Sequence, residues 1–94
     1  MKGEPFTPQR ARKLIQQILQ TGTVSFSKHA LDELAKDKLT TVDCVNVLRG
    51  GVVEPPELIH DTWRYRVRTA RILVVIAFRS EGHLVVVTAW RIKP

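Results

Sequence analysis

The stretch WRYRVRTARILVVIAFRSEGHLVVVTAWRI, residues 63–92, decides how the chain folds. Its first six residues alternate: Trp63, Tyr65 and Val67 interleave with Arg64, Arg66 and Arg68, the period of two that sends successive side chains to opposite faces of a strand. Ile72 to Phe78 is nearly all apolar and rich in β-branched residues, as suits a central strand buried on both faces. Thr69-Ala70 makes the first turn, without the usual Gly or Asn, and Ser80-Glu81-Gly82 makes the second. His83 to Ile92 then returns as another strand. Three strands joined by short turns predict an antiparallel meander.

Upstream, the period lengthens. Val52-Val53 and Leu58-Ile59 flank Pro55-Pro56, a pair that cannot lie in a central strand. Before Gly50-Gly51 the pattern is helical. Thr7-Pro8 starts a helix, with Thr7 as N-cap and Pro8 at the first helical position, and Leu14, Ile15, Ile18 and Leu19 supply its apolar stripe to about Gln20. Val24-Ser25-Phe26 is too short to be more than an edge strand or an extended approach. Ser27 caps a second helix with Ala30, Leu31, Leu34 and Ala35 on its apolar side, ending near Asp37. Thr40-Thr41 begins a third, carrying Val42, Val45, Val47 and Leu48. The last two helices, about three residues apart, suggest an αα-hairpin. Helices in the N-terminal half and a meander of three or four strands in the C-terminal half make the fold α+β, with N-terminal helices packed on an antiparallel sheet.

The chain has 94 residues, 44% of them hydrophobic, which suits one domain with an adequate core. Fifteen Lys and Arg against nine Asp and Glu leave a formal charge of +6, which points to polyanions or an acidic protein as partners. The single cysteine, Cys44, leaves no internal disulfide and reads as a buried thiol. Met1 to Thr7 lacks the apolar core of a signal peptide, and the run Ile72–Phe78 is far shorter than a membrane span needs, so the expected location is the cytoplasm.

The arginine ladder is the clearest chemical feature. Neighbouring guanidinium groups on one strand face stand ~6.6–7 Å apart, close to the spacing of phosphates along a nucleic acid. No acid lies among Arg64, Arg66 and Arg68, so something anionic is expected beside them. His29, in the first turn of the second helix, carries an imidazole that could accept a proton, as a general base must. His60-Asp61 and His83 carry weaker signals. The three histidines have no metal-ligand spacing, no Gly-rich phosphate loop is present, and no cofactor is expected. Unbroken alternation in the last strand would put Arg91 on a face with Val85 and Val87 and would keep Thr88 with Trp90; a bulge would change these assignments.

The motif Phe26-Ser27-Lys28-His29-Ala30 resembles the Phe-Ser/Thr-x-His-Ala hallmark of an uncharacterised family of small bacterial domains. In that family a second helix follows, then strands ending in a Thr-x-x-Arg-like segment, here Thr88-Ala89-Trp90-Arg91. The match spans roughly Val24 to Ile92, with residues 1–22 as an added N-terminal helix and residues 23–94 as the core. The family is similar to the RelE- and BrnT-type toxins of toxin–antitoxin pairs. What the resemblance implies is an endoribonuclease working without a metal, in which a 2′-hydroxyl attacks the adjacent phosphate. His29 would be the acid–base group, with Arg66, Thr88 and Arg91 completing the catalytic set. Arg64, Arg66, Arg68 and Lys28 would bind phosphate, and an acidic antitoxin would be the protein partner. The rival reading is a non-catalytic module binding RNA, DNA or an acidic protein. The family places arginines four and eight residues after its histidine; here Glu33 and Asp37 stand there.

Overall fold

The computed structural model describes residues 1–93. Three helices, α1 (Pro8–Thr21), α2 (Lys28–Lys36) and α3 (Thr41–Gly50), precede most of the sheet. The strands are β1 (Thr23–Phe26), β2 (Val52–Val53), β3 (Glu57–Ile59), β4 (Thr62–Arg68), β5 (Ile72–Ser80) and β6 (His83–Arg91). Their order is β1-β6-β5-β4-β2, with β3 also on β4; β1 runs parallel to β6 and every other pairing is antiparallel. The expected α+β architecture is what forms, and the expected edge strand at Val24–Phe26 is β1.

Each helix begins where a hydroxyl can satisfy an otherwise orphaned N–H. Thr7 Oγ1 accepts from the Arg10 N–H at 3.2 Å, and Ser27 Oγ accepts from the Ala30 N–H at 3.0 Å. Thr40 and Asp43 exchange such bonds in a capping box. The end of α2 is a Schellman turn, in which the Lys38 N–H donates to the Ala35 carbonyl and the Leu39 N–H to the Leu34 carbonyl. The residue forced into the left-handed region there is Lys38 (φ 55°) rather than glycine. Gly51 closes α3 against β4, where a Cβ would lie 2.9 Å from the Arg68 carbonyl oxygen.

One hydrophobic core lies between the helices and one face of the sheet. Ala11, Leu14, Ile15 and Ile18 of α1 share it with Tyr65 and Val67 of β4, Val74, Ile76 and Phe78 of β5, and Leu84, Val86 and Ala89 of β6. The helix of residues 1–22 is therefore built into the same core as the rest. α2 lies on β6 while α3 packs against α1, β4 and β5, so the two helices rest on different parts of the layer rather than on each other as an αα-hairpin. Phe6, Tyr65 and Phe78 form an aromatic cluster with ring centroids 5.0–6.3 Å apart. The buried Tyr65 hydroxyl accepts from the Phe6 N–H and donates to Glu4 Oε2, both at 2.9 Å. Burial, with Glu4 adding to it against the Phe6 donation, pushes that hydroxyl well above its ordinary pKa. Cys44 is fully buried as expected, and burial, reinforced by Asp43, pushes its thiol up to about 11.

The turn His60-Asp61 was not marked by the sequence pattern. Both residues have positive φ (49° and 61°), the backbone of a two-residue hairpin turn, and it folds β3 back onto β4. The strand count thus rises to six. β2 and β3 lie along the same outer edge of β4, with Pro55-Pro56 between them where no ladder bond is required.

Candidate nucleic-acid interface

Side chains on directly opposed residues share a face, so the strand register maps the second face of the sheet. Arg66 on β4 opposes Val75 on β5, which opposes Thr88 on β6. The next row is Arg68, Leu73 and Trp90. Towards the other end, Ala77 opposes Val85, and Val85 opposes Ser25 of β1. No core-lining helical residue belongs to these rows. The three helices cover the Tyr65 face and leave this one open.

A pocket of about 130 Å³ sits in the open face, with Val75 in it and Glu57, Arg64, Arg66, Thr88 and Trp90 around it. Val75 is nearly sealed although no helix lies over it, and Trp90 is 38% exposed. Arg64 Nε is shielded from solvent yet has no hydrogen-bond partner, an arrangement that leaves a buried donor costly until something accepts from it.

The ladder is not free of acids. Glu57 Oε1 stands 3.0 Å from Arg66 Nη1, and Glu54 Oε2 stands 3.4 Å from Arg68 Nε. Both carboxylates arrive from the neighbouring edge, Glu57 on β3 and Glu54 just after β2, and so are distant from the ladder's own local sequence. Among the described residues they partly answer the repulsion that the bare Arg-x-Arg-x-Arg pattern implies. Each pair is exposed enough for solvent to compete, so each is worth only ~0–1 kcal/mol and yields to a stronger anion.

The catalytic set expected from the motif is divided by the fold. Arg66 and Thr88, with Arg64, line the pocket; His29 and Arg91 do not. A β-bulge explains Arg91. Val75 opposes Thr88 but Ile76 opposes Val86, so Val87 is an extra residue without a partner. Leu84 and Val86 face the core before it, Ala89 faces the core after it, and Arg91 opposes Ile72, which packs against the core. Arg91 therefore leaves the face of Val85, where unbroken alternation placed it, while Thr88 and Trp90 stay together. On the helix side it closes α2: Arg91 Nε donates to the Asp37 carbonyl at 2.9 Å, a second guanidinium nitrogen reaches the Lys38 carbonyl at 3.4 Å, and the Arg91 N–H donates to Asp37 Oδ2 at 2.8 Å. Lys28 and His29 are exposed in the first turn of α2.

A second histidine joins the open face instead. His83 Nε2 lies 2.7 Å from Ser25 Oγ, linking β6 to the parallel edge strand β1. No local pattern marks this pairing, because 58 residues separate the two. Among the described residues no cluster of three His, Cys, Asp or Glu side chains is arranged to hold a metal, and no helix is long and apolar enough to cross a membrane.

Residues 26–91 match the model of a domain of unknown function, DUF4258. The chain belongs to that family. No curated protein matches the chain, and no solved structure does. The DUF4258 match runs from Phe26 of β1 to Arg91 at the end of β6, so it takes in α2, α3, the whole ladder and the open-face pocket. It stops short of α1 and Ser25, which the fold nonetheless joins to the domain's core and to its open face.

Proposed function

We propose that the open face of this DUF4258 domain binds single-stranded RNA, with the arginine ladder meeting the polyanion and Trp90 against a base. The observation carrying the reading is that Arg64, Arg66, Thr88 and Trp90 line one pocket on a sheet face no helix covers. Cationic side chains tracking the backbone beside an exposed aromatic ring on which a base can stack are the usual ingredients of single-strand recognition. The formal charge of +6 draws the polyanion in. The test is binding of a fluorescent single-stranded RNA across a salt series. Replacing Arg64, Arg66 and Arg68 together with Gln should weaken binding and flatten the dependence of log K on log salt by up to ~2, at about 0.7 per phosphate released. An unchanged slope would make the ladder a solvated face.

A second reading is an endoribonuclease toxin of the RelE or BrnT sort, with an acidic antitoxin protein covering the same face. Its support is the likeness of the Phe26–Ala30 motif and the presence of an imidazole, His83, on the same face as the arginines. In that reaction the 2′-oxygen bonds to phosphorus, the bond to the 5′-oxygen breaks, one group takes the 2′-proton and another returns a proton to the 5′-oxygen. Expression in a bacterial host decides it: growth arrest with fragmented messenger RNA, lost in His83→Ala or His29→Ala, supports cleavage. Intact RNA and normal growth leave binding alone. Cleavage that persists in EDTA is the further expectation.

A further inference from the structure

The pocket holds a carboxylate, and a site built only for phosphate would not. Glu57 opposes Arg64 across the β3–β4 register and pairs with Arg66 through one oxygen, while its side chain remains 52% exposed. Its other oxygen is free to accept from a ligand. Arg64 lines the same pocket with a guanidinium whose shielded Nε has no acceptor in the protein, and the Thr88 hydroxyl can donate or accept. Val75 is apolar, and Trp90 presents an aromatic surface beside it. The group that suits these neighbours is flat, and it carries donors for Glu57 along with acceptors for Arg64. The volume, about 130 Å³, is far below that of a cleft for a drug-sized ligand and admits one small ring system.

Among the four RNA bases, these demands select one. Guanine offers two adjacent N–H donors, N1–H and the N2 amino group, which a carboxylate can take together, and two acceptors, O6 and N7, which suit a guanidinium. Uracil would set carbonyl oxygens on either side of its one donor against the carboxylate. Adenine and cytosine each place a ring-nitrogen lone pair beside their single amino group. We propose, resting on the RNA-binding reading above, that this pocket takes a guanine base of single-stranded RNA: Glu57 reads its Watson–Crick edge, Arg64 its O6 and N7, and Trp90 stacks on its ring. The Arg66–Glu57 pair then holds the carboxylate in place for the base.

The test compares oligo(U) RNAs carrying one central G, A or C, with direct titration of guanosine and adenosine monophosphates. Wild-type protein should bind the G-containing strand about tenfold or more tightly than the others and should favour the guanosine nucleotide. Glu57→Gln removes the charged acceptor without emptying the space. It should abolish the preference while affinity for plain oligo(U) holds or rises, since Arg66 is released to the backbone. Trp90→Ala should weaken every base-containing ligand, and Trp90→Phe should restore stacking. Unfolding curves of all three variants should match the wild type. Equal affinity of wild-type protein for the G, A and C strands overturns the guanine assignment and leaves RNA binding intact. A preference for G that survives Glu57→Gln also overturns it. Absence of binding to any RNA or nucleotide overturns both readings.

Discussion

Arg91→Ala separates the role that spacing implied from the role that the fold assigns. The guanidinium makes two bonds to the carbonyls of Asp37 and Lys38 in the turn that ends α2, one good at 2.9 Å and one long at 3.4 Å, and places a positive charge at the negative end of the helix. A charge-assisted bond contributes ~1.5–3 kcal/mol in sheltered sites, and a cation at a helix C-terminus ~0.3–1 kcal/mol. Arg91 is exposed, so water replaces much of what is lost, and the net cost should be about 1 kcal/mol. For a domain of this size that lowers Tm by ~4–8 °C. Arg91→Lys keeps the charge but not the planar fork, so it should lose roughly half as much. RNA affinity should stay within about twofold of wild type in both variants, because the pocket lies on the other face. Thermal unfolding followed by circular dichroism, beside RNA binding at fixed salt, reads both quantities. An Arg91→Ala protein of unchanged Tm that no longer binds or cuts RNA would refute the face assignment and return Arg91 to the site.

Tyr65→Phe leaves the Phe6 N–H and the Glu4 carboxylate without their shared partner; it should cost ~1–3 kcal/mol and open the first six residues to proteolysis, as a chemical-denaturation curve and a limited digest would show. Cys44 holds its proton more tightly folded (about 11) than unfolded (9.0), so its contribution is complete below pH 9 and falls as pH rises towards 11. Denaturation midpoints measured across that window should therefore decline, and less steeply in Cys44→Ala measured against its own pH 7 value. Lys38→Gly relieves the left-handed backbone at the end of α2 and should stabilise the protein by ~0.5–1 kcal/mol. A loss of stability there would mean that the Lys38 side chain contributes more than its backbone strain costs.

Much of this architecture follows from local rules. Thr7, Ser27 and Thr40 announce three helix starts because capping is a contact over three residues. The alternation from Trp63 to Arg68 separates a core face from an arginine face because β4 stays regular from end to end. Features missed in the sequence lack such local cues. His60-Asp61 adopts a hairpin turn without the glycine that normally marks one. Glu54 and Glu57 reach the ladder through strand pairing, and Ser25 meets His83 through a parallel edge. Three consecutive valines, Val85 to Val87, conceal the bulge, since any of them fits either face of a strand. Of the expected site, Arg64, Arg66 and Thr88 meet in one pocket, Trp90 joins them, and Arg91 is turned away.

The bulge at Val87 also puts the two halves of β6 out of phase. Even-numbered residues look toward the helices before it and odd-numbered residues after it, as Leu84 and Val86 against Ala89 show. Removing Val87 would thus leave every neighbour facing as it does now, so a one-residue gap at this point changes the length of the strand but not its meaning. Counting residues across the gap does the opposite: two chains with the same spacing from histidine to terminal arginine present that arginine to opposite faces if only one of them carries the bulge. Within such a family, the unit that transfers a role from one member to another is the half-strand on either side of position 87.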